Sequence, residues 1–162
     1  LARGKNARAR PWFEYAGRRD PWNSEAAIAL AETLHRLEDN DAAIQVLQTA
    51  IQRTPRNPLL WDELASLYGL AGDWNMASRC LQKSEAIAPY RYERLLKWAS
   101  TLVRIKQYAR ARRPIRQYLA VMPDDPEAVE LLAQIMRARP PHAEPPAEPL
   151  PDKSTLRKFP WE

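Results

Sequence analysis

The sequence is poor in the residue types on which most catalytic, metal and cofactor sites depend. Among its 162 residues are one cysteine, two histidines and four glycines. A single cysteine cannot form an internal disulfide or a metal site built only from cysteines. His35 and His142 lie far apart along the chain, and neither has a companion at the spacing of metal ligands. We therefore predict no catalytic residues, no metal and no cofactor.

Two further absences narrow the class of protein. The sequence contains neither GxGxxG nor GxxxxGK[ST], which excludes the common glycine-rich phosphate loops. No apolar run reaches the ~18–20 residues that a membrane-spanning helix needs. The chain begins with Leu1 and has no apolar segment of the signal-peptide kind. We expect a piece or processed form of a longer protein, with the cytoplasm or the cytoplasmic face of a membrane as the favoured compartment.

Prolines, by contrast, are many, and some of them are regularly spaced. Pro21, Pro55, Pro89 and Pro123 follow one another at intervals of 34 residues. Because a proline inside a helix costs about 3 kcal/mol, a fixed proline interval marks a repeated helix boundary. Internal repeats of this length predict a stacked array of similar units. The units are residues 24–57, 58–91 and 92–125.

Small and apolar residues recur at the same places in all three units. Apolar residues follow the i, i+3, i+4, i+7 spacing of a helix twice in each unit, and Gly72 stands between the two helices of the second. The recurring small positions hold Ala31, Ala65 and Ala99, and then Ala43, Ala77 and Ala111. We predict two antiparallel helices in each unit and one helix after the third. The predicted helices span residues 24–37, 41–54, 58–71, 74–88, 92–104, 108–122 and 126–138.

This pattern resembles the tetratricopeptide repeat family, whose unit is a 34-residue helix–turn–helix. The residues of the second unit that carry the resemblance are Trp61, Leu64, Ala65, Tyr68, Ala77, Leu81 and Pro89. The first and third units depart from it, with Ala27 and Leu95 at the position of Trp61. The resemblance covers residues 24–125. It implies an all-α fold, a right-handed helical solenoid of three repeats, and a role in binding other proteins.

Residues 126–138 match the first helix of a fourth unit, and we predict that this helix caps the array. Its apolar residues fall in register with those of the other units: Val129, Leu132, Ala133 and Met136. Its predicted solvated side consists of Glu127, Glu130, Gln134 and Arg137.

Residues 1–23 are basic and aromatic, and two interpretations of them stay open. If the 34-residue register is continued towards the N-terminus, Ala9, Phe13 and Ala16 match the second helix of a preceding unit. In that interpretation the segment is half a repeat. Alternatively, its aromatic residues form a short plug over the first unit: Trp12, Phe13, Tyr15 and Trp22.

The segment after the predicted cap differs in composition from the rest. Residues 139–162 contain seven of the 15 prolines, which favours an extended chain without a core of its own. Its last part carries three large apolar residues among basic ones: Leu156, Phe159 and Trp161. They are either accidental or a linear motif that docks on the chain's own groove, on a neighbouring copy or on a partner.

In the resembled family, the first helices of the units line a concave face that holds extended peptides. The matching positions here are Glu25, Ile28, Glu32, His35, Leu59, Asp62, Ser66, Leu70, Glu93, Leu96, Ser100 and Arg104. No asparagine occupies any of them, which disfavours the grip on a terminal carboxylate that some members use. Acidic and apolar residues predict a ligand that is basic and apolar, either a partner segment or the chain's own tail. The alternative is that these acids only solvate helix faces.

Positive charge concentrates in two zones, residues 1–20 and the third unit. The second zone includes a basic surface on the predicted convex side, with Tyr108 and Tyr118 nearby: Arg110, Arg112, Arg113 and Arg116. Such a surface suits nucleic acid phosphates, an anionic membrane or an acidic protein, but no established nucleic-acid motif is present.

The remaining reactive residues have ordinary structural explanations. Cys80 falls on a helix beside Leu81, where a buried thiol is expected. The acid pairs at 38–39 and 124–125 fall at predicted turns, where carboxylates cap helices.

We predict a protein-binding scaffold or adaptor, of bacterial composition, within a larger assembly. The alternatives are a regulatory or targeting domain of a larger enzyme or membrane protein, and a binder of RNA or anionic membranes.

Overall fold

The fold is known from a computed structural model, which describes residues 11–16, 19–20, 22–89 and 91–138. From residue 22 onward these residues form seven helices, and residues 11–16 are helical too. The seven are α1 Ser24–Arg36, α2 Asn40–Arg53, α3 Pro58–Leu70, α4 Trp74–Ile87, α5 Tyr92–Arg104, α6 Tyr108–Leu119 and α7 Pro126–Arg137. The described part of the chain has no strand, and the predicted all-α fold is confirmed.

Most helices begin where a side chain accepts a hydrogen bond from the first turn. Asn23, Asn57 and Asp125 cap α1, α3 and α7 in this way, and each stands directly before Ser24 or a proline that begins its helix. Asp39 and Asp73 do the same for α2 and α4. The acid pairs at 38–39 and 124–125 therefore each provide a helix cap.

The turn between the two helices of a unit uses the same backbone conformation three times. Glu38, Gly72 and Lys106 occupy equivalent positions, and their φ angles are 67°, 81° and 59°. Only the glycine was predicted from sequence, because glycine enters the left-handed region without steric cost. In the first and third units an ordinary side chain is held in that region instead.

Helices pack in antiparallel pairs, α1 with α2, α3 with α4 and α5 with α6, and each pair packs on the next. The recurring alanines lie at the contacts and are no more than 4% exposed. Large residues fill the space around them in two buried clusters, and Trp98 packs against both. The interlocking small and large positions predicted from the period are thus confirmed.

Helix α6 ends at Leu119, three residues before the predicted end. The backbone N–H groups of Val121 and Met122 both turn back to the carbonyl of Tyr118, which closes a tight turn. The Tyr118 hydroxyl also donates to the carboxylate of Asp125, the residue that caps α7. These hydrogen bonds form a turn where the apolar pattern had predicted that the helix continues to residue 122.

Two of the four apolar residues that place α7 in register with the other first helices are exposed. Val129 and Met136 are 49% and 46% exposed, whereas Ala128 and Ile135 are fully buried. Each of the other first helices packs against the second helix of its own unit, and α7 has no such helix in the described part of the chain. Its predicted solvated residues are all exposed: Glu127, Glu130, Gln134 and Arg137.

At the other end, Phe13 packs against the first buried cluster, while Trp12, Tyr15 and Trp22 are largely exposed. Half a repeat and an aromatic plug both remain interpretations of residues 1–23. The tail motif Leu156, Phe159 and Trp161 lies outside the described residues.

Candidate functional site: the concave face

The first helices of the units lie along one side of the array. Helix α1 contacts α3 directly, and α5 contacts α7, although a second helix separates the members of each pair in the sequence. These contacts are consistent with first helices that line one side of the array, the side that is concave in the resembled family. We call this side the concave face.

All twelve groove residues predicted from the sequence lie at least partly at the surface. Several polar groups among them already have partners within the chain. His35 Nδ1 lies 2.7 Å from Asn40 Oδ1, and Ser66 donates to the carbonyl of Asp62. Six are exposed: Glu25, Glu32, Leu59, Leu70, Glu93 and Arg104. Six are half-buried: Ile28, His35, Asp62, Ser66, Leu96 and Ser100.

The charge at Asp62 is offset by a residue that sequence reasoning missed. Arg94 Nε and Nη2 donate to the two carboxylate oxygens of Asp62 at 2.7 and 2.8 Å. The guanidinium also lies 3.4 Å from Glu85 and donates to the carbonyl of Ala88. The Arg94 side chain is 2% exposed. Asp62, a predicted groove residue, is therefore also half of a largely buried ion pair that offsets its charge.

A second missed residue adds a carboxyl group to the middle of the concave face. Glu63 lies one residue from Asp62 and is half-buried. The pKa of its carboxyl is raised by burial and by the nearby charges of Glu32 and Asp62, and the cation of Lys97 opposes this only in part. We call Glu32, Asp62 and Glu63 the carboxylate cluster. Within it, Asp62 is paired with Arg94 and Glu32 lies 3.8 Å from Arg36, while the surroundings of Glu63 remain unfavourable to its charged form.

An aromatic contact borders the concave face. The guanidinium carbon of Arg104 lies 4.5 Å from the centre of the Trp74 ring, within the range of a cation–π interaction. A β-carbon at Gly69 would lie 3.1 Å from that ring, so the glycine lets Trp74 approach α3 closely. Leu70 beside them is 64% exposed. The sequence pattern did not predict this contact. The groove positions were taken from the first helices alone, and Trp74 begins a second helix.

The predicted basic surface lies on α6, with one correction. Arg110, Arg113 and Arg116 are exposed and Arg112 is half-buried. Tyr118, expected beside them as an aromatic contact, is only 5% exposed. Its hydroxyl is held by Asp125, and this hydrogen bond raises the pKa of Tyr118 to about 12. Of the two tyrosines expected beside this surface, Tyr118 is therefore not available to stack on a base, and Tyr108 is half-buried.

A cleft of about 230 Å³ lies beside this basic surface, between α4 and α6. Trp98 and Pro89 line it, together with Gln82 and Arg113. The indole N–H of Trp98 is buried and has no hydrogen-bond partner. The cleft was not predicted, since it forms where two units meet.

Chemically reactive groups are sparse in the described part of the chain. Cys80 is 2% exposed, and burial raises the pKa of its thiol to about 12, as expected for an inert core cysteine. Among the described residues, no cluster of three or more histidines, cysteines and acids has the arrangement of a metal site. None of the described helices combines the length and hydrophobicity needed to span a bilayer.

Comparison with known proteins supports the repeat fold. The crystal structure of MamA matches with a TM-score of 0.67 at 15% identity, over 85% of this chain and 90% of that one. A tetratricopeptide repeat protein from Parabacteroides merdae ATCC 43184 matches with a TM-score of 0.74 at 19% identity, over 83% of this chain and 54% of that one. At these identities the likeness concerns the fold.

A third similar structure contains a bound peptide. It is the first TPR of Spaghetti (RPAP3) bound to the HSP90 peptide SRMEEVD, with a TM-score of 0.59 at 18% identity, over 67% of this chain and 86% of that one.

No curated protein sequence is similar enough to count as a relative. Residues 1–67 match the family model for the tetratricopeptide repeat. The resemblance to the tetratricopeptide repeat family is thereby confirmed, by this match and by a repeat fold that extends over most of the chain.

Proposed function

We propose that the concave face binds an extended segment of a partner protein that carries basic and apolar side chains. The chain then acts as a scaffold or adaptor within a larger assembly. The observation that carries this proposal is the carboxylate cluster in the middle of the face, flanked by exposed Leu59 and Leu70. The proposal concerns binding alone, without a catalytic step.

The charge of the cluster favours a cationic ligand. The raised pKa of Glu63 means that its ionised form is disfavoured by burial and by neighbouring carboxylates. A lysine or arginine side chain placed there would compensate this charge, and opposite potentials also guide partners into register. The Arg94 ion pair holds Asp62 in place, so the site is largely preformed and little ordering entropy is lost when a ligand binds.

Apolar contacts complete the site. Leu59 is 44% and Leu70 64% exposed, and Ile28 and Leu96 are half-buried on the neighbouring first helices. An extended peptide places alternate side chains on opposite sides, so that apolar residues between basic ones can reach this strip. The peptide in the RPAP3 structure, SRMEEVD, contains three acidic residues. We expect the opposite preference here, because the carboxylates occupy the middle of the face.

The test is calorimetric titration of the full chain with two blocked peptides. One is composed of lysine, leucine and serine, and the other has glutamate in place of lysine. We expect the lysine peptide to bind and the glutamate peptide not to bind. Glu32→Gln combined with Glu63→Gln should weaken binding of the lysine peptide by about tenfold, the equivalent of about 1.4 kcal/mol.

The control removes the same charge elsewhere. Asp41→Asn combined with Asp124→Asn alters two exposed acids outside the concave face and should leave the affinity unchanged. Equal losses in the two double variants would show that only overall charge matters and would contradict the site. A loss caused by Arg113→Glu would instead favour the basic surface of α6.

A further inference from the structure

We propose that the chain's own tail, residues 153–161, docks on the open apolar side of α7. This inference goes beyond the proposed function, because it assigns an occupant to a different surface. The open side consists of Val129 and Met136, which are about half exposed, and of the half-buried Leu132 and Ala133.

The open side is the one that a second helix covers in each complete unit. The residues at the equivalent positions of α5 are Leu95, Trp98, Ala99 and Leu102, and α6 packs against that helix. Three of these four are no more than 2% exposed. The corresponding second helix after α7 would fall at about residues 142–155, where Pro145, Pro146, Pro149 and Pro151 disfavour a helix. The proline-rich sequence therefore leaves the apolar side of α7 to another kind of cover.

The tail has the matching chemistry. Leu156, Phe159 and Trp161 provide three large apolar side chains, and the basic residues between and before them are Lys153, Arg157 and Lys158. Residues 153–161 contain no acid. Around α7 the balance is reversed, with Arg137 as the single basic residue of 124–138 against four acids: Asp124, Asp125, Glu127 and Glu130. The apolar residues of the tail thus match the open side of α7, and its basic residues match the excess of acids on the solvated side and at the start of the same helix.

The connection is long enough for the tail to fold back. Residues 139–152 separate α7 from it, and an extended proline-rich chain rises about 3.1 Å per residue, which amounts to roughly 40 Å. Helix α7 itself spans about 18 Å at 1.5 Å per residue. Tethering on this scale gives an effective concentration near the millimolar range. A contact of only a few side chains is therefore sufficient in cis, whereas a separate partner would need a larger area.

The test uses the buried position of Cys80, which lets an engineered cysteine be labelled selectively. A nitroxide is attached to Ser154→Cys in the full chain, and paramagnetic broadening of methyl signals is measured. We expect broadening at Val129 and Met136 and none at Leu59 and Leu70. Phe159→Ser combined with Trp161→Ser should abolish it.

A matched pair of variants locates the contact on one side of α7. Met136→Lys should remove the broadening at Val129, whereas Gln134→Lys places the same charge on the opposite, solvated side and should leave it. Broadening at Leu59 and Leu70 would assign the tail to the concave face and overturn the inference. So would broadening seen only when labelled chains are mixed with unlabelled, isotope-enriched ones, which indicates a second copy, or no broadening on any helix.

Discussion

At the scale of single residues, Arg94 shows how one side chain can connect two units. Its equivalents in the other units are Ala26, Leu60 and Ala128, all buried and apolar. The guanidinium occupies the same place because Asp62, Glu85 and the carbonyl of Ala88 accept its hydrogen bonds from the preceding unit. A buried charge of this kind is tolerated only with such partners.

We expect Arg94→Ala to lower the free energy of unfolding by about 3–5 kcal/mol, because it leaves the Asp62 carboxylate without its partner. The measurement is urea unfolding followed by circular dichroism. Arg36→Ala is the control, since it breaks an exposed pair with Glu32 at 3.8 Å and should cost no more than about 0.5 kcal/mol. Similar losses in the two variants would mean that the Arg94 pair does not hold the units together.

Glu63 makes stability depend on pH in a defined direction. Because its pKa is raised in the folded chain, folding favours the protonated carboxyl. The stabilisation is fully present below the pKa of the unfolded chain, and it is lost as the pH rises through the folded-state pKa. Glu63→Gln should therefore be about as stable as the natural chain in acid and more stable at neutral pH.

This prediction is checked by urea unfolding at several pH values. The exposed Asp41→Asn variant serves as the control and should differ from the natural chain by less than about 0.5 kcal/mol throughout. If the curves for Glu63→Gln and the natural chain run parallel from acid to neutral pH, the assigned environment of Glu63 is wrong.

At the scale of helices and turns, the left-handed position of the turn is occupied by Gly72 in one unit and Lys106 in the next, and opposite effects on stability are expected from substitutions at the two. Gly72→Ala should destabilise the fold by about 1–2 kcal/mol through its backbone alone, since nothing lies within 4 Å of the added β-carbon. Lys106→Gly should relieve strain of that size, and the extra entropy of a glycine in the unfolded chain reduces the gain to about 0.5–1 kcal/mol. Thermal unfolding measures both changes.

Lys106→Ala separates backbone strain from side-chain effects, because alanine keeps the β-carbon. It should not reproduce the gain of Lys106→Gly. If the two variants are equally stable, the left-handed backbone at this turn costs little, and the prediction fails.

Helix positions were largely predictable because they depend on local signals. Proline, cap residues and apolar spacing gave the starts of all seven helices to within one residue. The early end of α6 and the exposure of Val129 on α7 have a different origin. The Tyr118 hydroxyl donates to Asp125 where α6 was expected to continue, and no second helix packs on Val129 within the described residues. A periodic apolar pattern predicts which side of a helix is apolar. It does not predict whether another helix packs against that side.

At the scale of the whole molecule, the repeat register predicted which helices come first in each unit but not the electrostatics around them. Asp62 was among the residues predicted for the groove. Its charge is offset by Arg94, which belongs to the next unit and lies 32 residues further along the chain. The raised pKa of Glu63 depends likewise on Glu32 of the preceding unit. A 34-residue period superposes equivalent residues of different units, whereas these interactions join non-equivalent ones.

The central claim is that ligands bind to the concave face and not to the basic surface of α6. The most direct measurement is the mapping of chemical-shift changes in the isotope-labelled full chain as the lysine–leucine peptide is added. We predict that the changes concentrate on Glu32, Glu63, Leu59 and Leu70 and leave α6 unchanged. Changes confined to Arg110, Arg113 and Arg116, or spread evenly over the surface, would contradict the account.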